Sequence, residues 1–487
     1  MFAGYLQQIN EHAVVSGDDL DQAAIVEWFC AFAEFIDHFG KDELSSASGM
    51  GEGIHGLLAI VVNILRLPEW SSRSNCLEVV RYVCNSLKVL SRTCEYDVLH
   101  QEESLDILLS ICLHSEKLVE TKAGRLCQVA ALSALNNCVL GSSGGVLFSK
   151  LLQPPVHASA CVDLGVQNGS RTRLGVLMST AEQPCPIQYL IIIFNFFYRC
   201  AATSEDLFKH FLTKPAQRRD PHFVRISIMT LAWCIDRMKL DLPHSNKTKL
   251  VDLGLALFRL IFLFASKWNT LSSEQDAEGQ RLETMLGLVL RDSFFLNDDR
   301  WMESRRLKHG AVMVLMEMPD KYLVYFARSK GVPPLCQLCY QETERFLLGP
   351  ANSLLAGNAA ETLAPLFLSL YKLAKADVAA RQEMKSIIFP EQSMSAKEDR
   401  HGPFFSNEQK KNRKDIYKPS DAPEFTFRCH LINLLLKSSD GHITVPLGDY
   451  LFLLCDEDVD EFVGRVGLGY GAGLLQRRGL LGQLKRS

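Results

Sequence analysis

The sequence predicts an all-α protein, a right-handed superhelix of divergent armadillo- or HEAT-like helical repeats, and three observations carry that expectation. Most of the 487 residues read as apolar helices of about 12–20 residues, separated by short breaks of Gly, Pro, Ser, Asp or Asn. Those helices are apolar on more than one face, as helices with neighbours on several sides must be. They also continue along the chain with no βαβ rhythm. Period-2 alternation is scarce: the best strand candidate, Gly441-His442-Ile443-Thr444-Val445, is stopped by Pro446. Armadillo and HEAT units run roughly 40–47 residues. No strict period is visible, so the repeats are divergent, and an irregular helical globule is the competing arrangement.

Taken in order, helices are expected over Leu77–Cys94, Arg125–Leu140, Ile187–Cys200, Phe223–Met238, Leu250–Ser266, Leu282–Phe295, Lys308–Met318, Glu361–Ala376, Phe427–Leu436 and Leu447–Val463. Two of these regions need a membrane check. Residues 184–200 are interrupted by Gln188, Asn195 and Arg199, and residues 250–265 carry Asp252 and Arg259. Neither offers the ~18–20 clean apolar residues of a span, so both read as helices buried among helices. The pattern breaks over 391–424, where Lys397, Arg400, Lys410, Lys411, Arg413, Lys414 and Lys418 sit in a polar stretch. That reads as a flexible basic loop, solvated rather than an import signal or an acidic-partner site. The expected organisation is helical repeats over 1–390, the loop over 391–424, and a terminal repeat with a capping segment over 425–487.

Composition excludes several classes. With 47% hydrophobic and 22% charged residues the chain is not wholesale disordered, and a net charge of −4 gives no nucleic-acid footprint. Fifteen cysteines are an odd number, and most sit inside apolar helices, as Cys84, Cys127, Cys138, Cys200, Cys234 and Cys455 do. The N-terminus has no signal-peptide pattern, so reduced thiols in the cytoplasm are expected.

Catalytic patterns occur only in the wrong context. Gly141-Ser142-Ser143-Gly144-Gly145 has the form of a nucleophile elbow but follows a helix rather than a strand. Gly467-Leu468-Gly469-Tyr470-Gly471-Ala472 fits a dinucleotide fingerprint with no βαβ unit around it. Cys336-Gln337-Leu338-Cys339 is a single C-x-x-C where zinc needs about four ligands. With no phosphate-loop motif either, no enzyme, metal or cofactor is expected.

One helix carries more information. In Glu78–Arg92, Val83, Leu87, Leu90 and Cys94 share one face, while Arg81, Asn85, Lys88 and Arg92 repeat that spacing on another. Amides satisfy a peptide's backbone groups, and Lys or Arg pairs with a carboxylate, so such a stripe suits peptide capture. Asn137, flanked by Ala130, Ser133 and Ala134, and Asn195 in the next strongly apolar helix extend the row. Taken alone, these residues favour a solvated face and helix–helix hydrogen bonds over a groove.

The C-terminal quarter changes that balance. Asp449-Tyr450-Leu451-Phe452-Leu453-Leu454-Cys455-Asp456-Glu457-Asp458-Val459-Asp460-Glu461-Phe462-Val463, then Gly467–Leu475 and Arg478-Gly479-Leu480-Leu481, resemble the synembryn family. So do 361–390, His309-Gly310-Ala311-Val312, Lys88-Val89-Leu90-Ser91-Arg92 and Asn137-Cys138-Val139-Leu140. Lys88 stands where the family has Arg, which keeps the charge and loses the fork. The segment after Gly471 is shortened relative to the family.

The resemblance implies an armadillo/HEAT superhelix that acts as a cytosolic chaperone and guanine-nucleotide exchange factor for heterotrimeric G-protein α subunits (Gα), GDP-bound or nucleotide-free. It implies that Lys88, Arg92 and Asn137 hold the Gα C-terminal helix, and Asn85 and Asn195, from the polar row read above, are expected to join them. It further implies a monomer without transmembrane segment or nucleic-acid partner, cytoplasmic and recruited to the plasma-membrane cortex. The sequence ends at Ser487, soon after the Arg-Gly-Leu segment, so peptide capture is better supported than full exchange. The alternative function is an armadillo-type scaffold or transport adaptor.

Overall fold

The computed structural model describes residues 23–37, 50–66, 73–92, 101–113, 121–139, 144–153, 186–212, 223–240, 242–267, 276–291, 301–348, 359–390, 427–438 and 440–483, with a few isolated positions between them. The basic segment 391–424, Cys94 and Gly141–Ser143 lie outside these residues. Among the described residues every regular element is a helix, and the chain divides into two compact units, 1–264 and 265–487.

The first unit contains α1 (Ala23–Asp37), α2 (Met50–Leu65), α3 (Ser74–Leu90), α4 (Glu102–Leu113), α5 (Lys122–Cys138), α6 (Gly144–Leu151), α7 (Ile187–Thr203), α8 (Glu205–Leu212), α9 (Phe223–Met238) and α10 (His244–Ala265). Its spine is a row of side-by-side helices: α3 packs along α5, and α5 along α7, with α1 and α4 against them. Thr121 caps α5 by accepting from the Gly124 amide at 3.0 Å. Gly124 is needed for packing, since a Cβ there would stand 2.4 Å from the Leu118 carbonyl oxygen. At the far end Phe197, Phe211, Phe223 and Phe264 bring α7, α8, α9 and α10 together, with Phe211 and Phe223 stacked at 4.4 Å. Fully burying each ring contributes about 1.5–3 kcal/mol, so this cluster is a main anchor of the unit.

The second unit contains α11 (Asp276–Arg291), α12 (Trp301–Glu317), α13 (Asp320–Arg328), α14 (Val332–Leu348), α15 (Ala359–Ala376), α16 (Val378–Ile388), α17 (Phe427–Lys437), α18 (Gly441–Leu454), α19 (Val459–Val466), α20 (Leu468–Arg477) and a 3₁₀ turn at Leu481–Gln483. Here α12, α15 and α18 form a comparable row, and Lys372 of α15 closes the end of α12 by donating to the Met316 and Met318 carbonyls at 3.0 and 2.6 Å.

The best strand candidate, Gly441–Val445, is helical, in keeping with the all-α expectation: Asp440 accepts from the His442 amide at 2.8 Å, starts α18 there, and the helix runs through Pro446. One expectation fails in this unit, since Leu447–Val463 is not one helix. Asp456 and Glu457 adopt left-handed φ values of 53° and 60°, which end α18, and Asp458 then caps α19 on the Glu461 amide at 2.7 Å. Lys385 of α16 holds this corner, reaching Asp456 at 2.9 Å and Glu461 at 3.0 Å.

Candidate functional site

The sequence-predicted residues fall on the row α3–α5–α7, where each helix leaves one strip incompletely covered. On α3 the strip holds Arg81, Asn85 and Lys88; on α5 it holds Leu126, Val129, Ser133, Asn136 and Asn137; on α7 it holds Ile191, Asn195 and Arg199. All recur at helical spacing, so on each of these three neighbouring helices they share one face.

Not every predicted residue is free to bind. Arg81 is paired with Glu78 and lies over the Tyr82 ring at 4.3 Å, so its charge is already answered. Asn85 and Lys88 are half-buried with no side-chain hydrogen bond or ion pair among the described residues. Arg92 is not on the helix. Ser91 ends α3 by turning its hydroxyl onto the Lys88 carbonyl at 2.8 Å, which offers the backbone an alternative to continuing, and Arg92 follows as an exposed residue.

Asn137 has an internal role: its amide Nδ2 donates to the Lys88 carbonyl and to Ser91 Oγ, both at 3.1 Å, tying α5 to the end of α3. Asn195 donates to the Ile191 carbonyl of its own helix at 2.9 Å. Ala130 and Ala134 are buried, so their small size serves the close approach of α5 to its neighbours rather than space for a ligand.

Sequence reading missed Arg199 and Asn136. Arg199 Nη1 donates at 2.9 Å to the Asn136 carbonyl in the last turn of α5, so α7 is tied to α5 as α5 is tied to α3. Burial, and then the Arg259 guanidinium of α10 beside it, lower the Arg199 pKa from its ordinary value. The signal available was spacing, since Arg199 lies one helical turn after Asn195.

Lys88, Arg92 and Arg199 lie toward this end, while Lys122 and Arg125 are at the other end of α5. The sole acid in α3, α5 and α7 is Glu78, in the first turns of α3. Helix C-termini favour nearby cations, which accounts for part of the charge. A separate cleft of about 330 Å³ lies between α2 and α4, lined by His55, Asn63, Arg66, Gln101 and Glu103, and is not part of this row.

Two of the motifs set aside from the sequence fall among the described residues. Gly467, at φ 97°, is the hinge between α19 and α20 rather than part of a strand–helix turn. Cys336 and Cys339 are fully buried on α14, and burial pushes both thiols up, Cys339 to about 12. Among the described residues no group of His, Cys, Asp and Glu is placed to hold a metal, and no helix is long and apolar enough to cross a membrane.

The family model for the guanine nucleotide exchange factor synembryn matches residues 83–487, which takes in every residue of the row discussed above from Asn85 onward. The chain belongs to the synembryn family. Family membership makes it a guanine nucleotide exchange factor whose partner is Gα. No individual curated protein matches the chain. The match begins inside α3, so α1 and α2 of this synembryn-family chain precede it.

Proposed function

We infer that the open row α3–α5–α7 captures the C-terminal helix of Gα, and that the protein uses this grip both as a folding chaperone and to release GDP. The observation that carries the reading is the pairing of an unengaged Lys88 and Asn85 with an acid-free cationic end on three adjacent helices. Lys88 and Arg92 neutralise the terminal carboxylate of the peptide. Asn85 and Asn195 meet its polar groups, and Asn137 offers its Oδ1, because its Nδ2 already serves the α3 end. Leu126 and Val129 supply apolar contact.

Holding that helix away from the Gα core favours the open, nucleotide-free conformation, and the driving energy is differential binding with no covalent step. In this reading the helices are armadillo- or HEAT-like repeats, and the protein is a non-enzymatic cytoplasmic monomer that meets Gα at the membrane cortex. The side-by-side rows in both units support the repeat assignment.

The test is a fluorescence-anisotropy titration with a Gα C-terminal peptide of about 18 residues, roughly 27 Å as a helix and so long enough to cross three helices. Binding that weakens on amidation of the peptide, and in Lys88→Ala/Arg92→Ala, is expected. If neither the free-acid nor the amidated peptide binds, the capture reading is wrong and the adaptor alternative takes its place.

A further inference from the structure

Helix α9 leaves large apolar side chains in solvent. Met229, Trp233 and Leu240, the last just past its end, are 47%, 37% and 47% exposed. Single exposed apolar residues are ordinary, but these three share one strip at i, i+4 and i+11 and cover about 16 Å of it. Arg225 and Arg237 flank them on the same side, one turn before Met229 and one turn after Trp233. The Arg237 guanidinium lies over the Trp233 ring, 5.7 Å from its centroid, so indole and cation already stand together at the surface.

The charge around the strip is uneven. Cys234 donates to the Leu250 carbonyl at 3.0 Å, which fastens the last turns of α9 to the first turns of α10 and gathers Arg237, Lys239, Lys247 and Lys249 at one corner of the unit. Lys239 is shared loosely with Asp236 at 3.5 Å, while Arg237, Lys247 and Lys249 make no ion pair among the described residues. Of the acids nearby, Asp252 on α10 has a contact of its own, and Asp241 in the connection lies outside the described residues. On α8, which packs on α9, Glu205 pairs with Lys209. Both Glu205 and its neighbour Asp206 stand about one turn from Phe208, whose ring stacks on Phe264 at the far end of α10, about 30 Å from His244. Residues 223–265 carry six cations against three acids in a chain whose net charge is −4.

We propose that this corner is a membrane contact: Met229, Trp233 and Leu240 enter the headgroup region of an anionic bilayer while Arg237, Lys247 and Lys249 meet its acidic phospholipids. Trp suits that depth because its ring is apolar and its N–H polar, and long cationic side chains reach headgroups while their stems stay among apolar groups. The cations are spread over two helices, an arrangement that a fluid anionic surface satisfies without a fixed place for each charge. The contact is weak and reversible, each cation contributing roughly fivefold to the preference for anionic lipid. It rests only on that part of the proposed function which has the protein meet Gα at the membrane cortex, and it needs no peptide capture.

The experiment sediments the full chain with phosphatidylcholine vesicles, with and without about 30% phosphatidylserine, at low and high salt. Binding is expected to the anionic vesicles alone, to weaken with salt, and to be about 100-fold weaker in Arg237→Gln/Lys247→Gln/Lys249→Gln. With brominated lipid, quenching of tryptophan emission is expected to fall in Trp233→Phe. None of the four side chains is buried, and circular dichroism checks that each variant folds. Vesicle binding that is unchanged in the triple variant belongs elsewhere on the chain and overturns the proposal. Equal binding to neutral vesicles, no binding to either kind, or unaltered quenching in Trp233→Phe does the same. If the corner binds polyglutamate and not vesicles, its partner is an acidic protein and the lipid assignment falls. A Gα peptide that binds where vesicles do not sinks this contact alone; vesicle binding through the corner without peptide binding sinks the capture reading alone.

Discussion

Replacing Glu342 by Gln should cost the second unit about 3 kcal/mol at neutral pH. The carboxylate is 1% exposed on α14 and accepts a fork from Arg305 of α12, with Nε at 2.8 and 2.9 Å and Nη2 at 2.6 Å. Arg345 adds a bond at 2.8 Å, and His309 Nε2 stands at 3.5 Å, beyond an ordinary hydrogen bond. Burial pushes this carboxyl up, but contacts with His309 and Arg305 and the charges of His309 and Arg345 overcome it and bring the pKa down to about 2.

Against an ordinary glutamate near 4.3, that is roughly two pH units, or about 3 kcal/mol favouring the folded state. Removing one partner from a buried ion pair independently suggests about 3–5 kcal/mol. Because the folded value lies below the unfolded one, the stabilisation is complete above about pH 4.3 and is lost as pH falls toward 2. Thermal unfolding should show Glu342→Gln melting roughly 6–12 °C lower at pH 7. Amide exchange in α12 and α14 should rise with it. The gap should close between about pH 4.3 and 2. Equal stability at pH 7, or a gap that widens on acidification, would refute the reasoning.

Two further outcomes follow from single contacts. Asn137→Ala removes two bonds between α5 and α3 and should cost about 1–3 kcal/mol by denaturant unfolding, whereas Lys88→Ala should cost far less. A stable Asn137→Ala that has lost only peptide binding would show that the residue is a ligand contact and not a tie. Tyr450→Phe removes a buried hydroxyl that has no partner among the described residues, so it should be neutral or stabilising by up to about 1 kcal/mol; a clear loss in the urea midpoint would reveal a partner for that hydroxyl.

The helical class was legible because apolar periodicity is a local property. Phe223–Met238 falls where the pattern put it, and the start of α7 at Ile187 likewise. The failures have a different origin. Asp440 and Asp458 act through single side-chain-to-amide bonds that outweigh the patterns of Gly441–Val445 and Leu447–Val463. Ser91 ends α3 before Arg92 by donating its hydroxyl to the Lys88 carbonyl, again a single side-chain-to-backbone bond. Within the candidate site, Lys88 and Asn85 could be picked out from their own helix. The ties that Asn137 and Arg199 make were not legible because their partners are 46–49 and 63 residues away, and no single-helix pattern encodes such contacts.

The ties between α3, α5 and α7 have a property that matters for how this surface can change over evolutionary time. Asn137 grips the main-chain carbonyl of Lys88, and Arg199 grips that of Asn136. Every amino acid carries a carbonyl, so the side chains at 88 and 136 can be exchanged without removing the acceptors that hold the three helices in line. Recognition and architecture are thereby assigned to different atoms of the same residues. A lineage, or an engineer, can retune what the row prefers at position 88 while the scaffold beneath it is undisturbed.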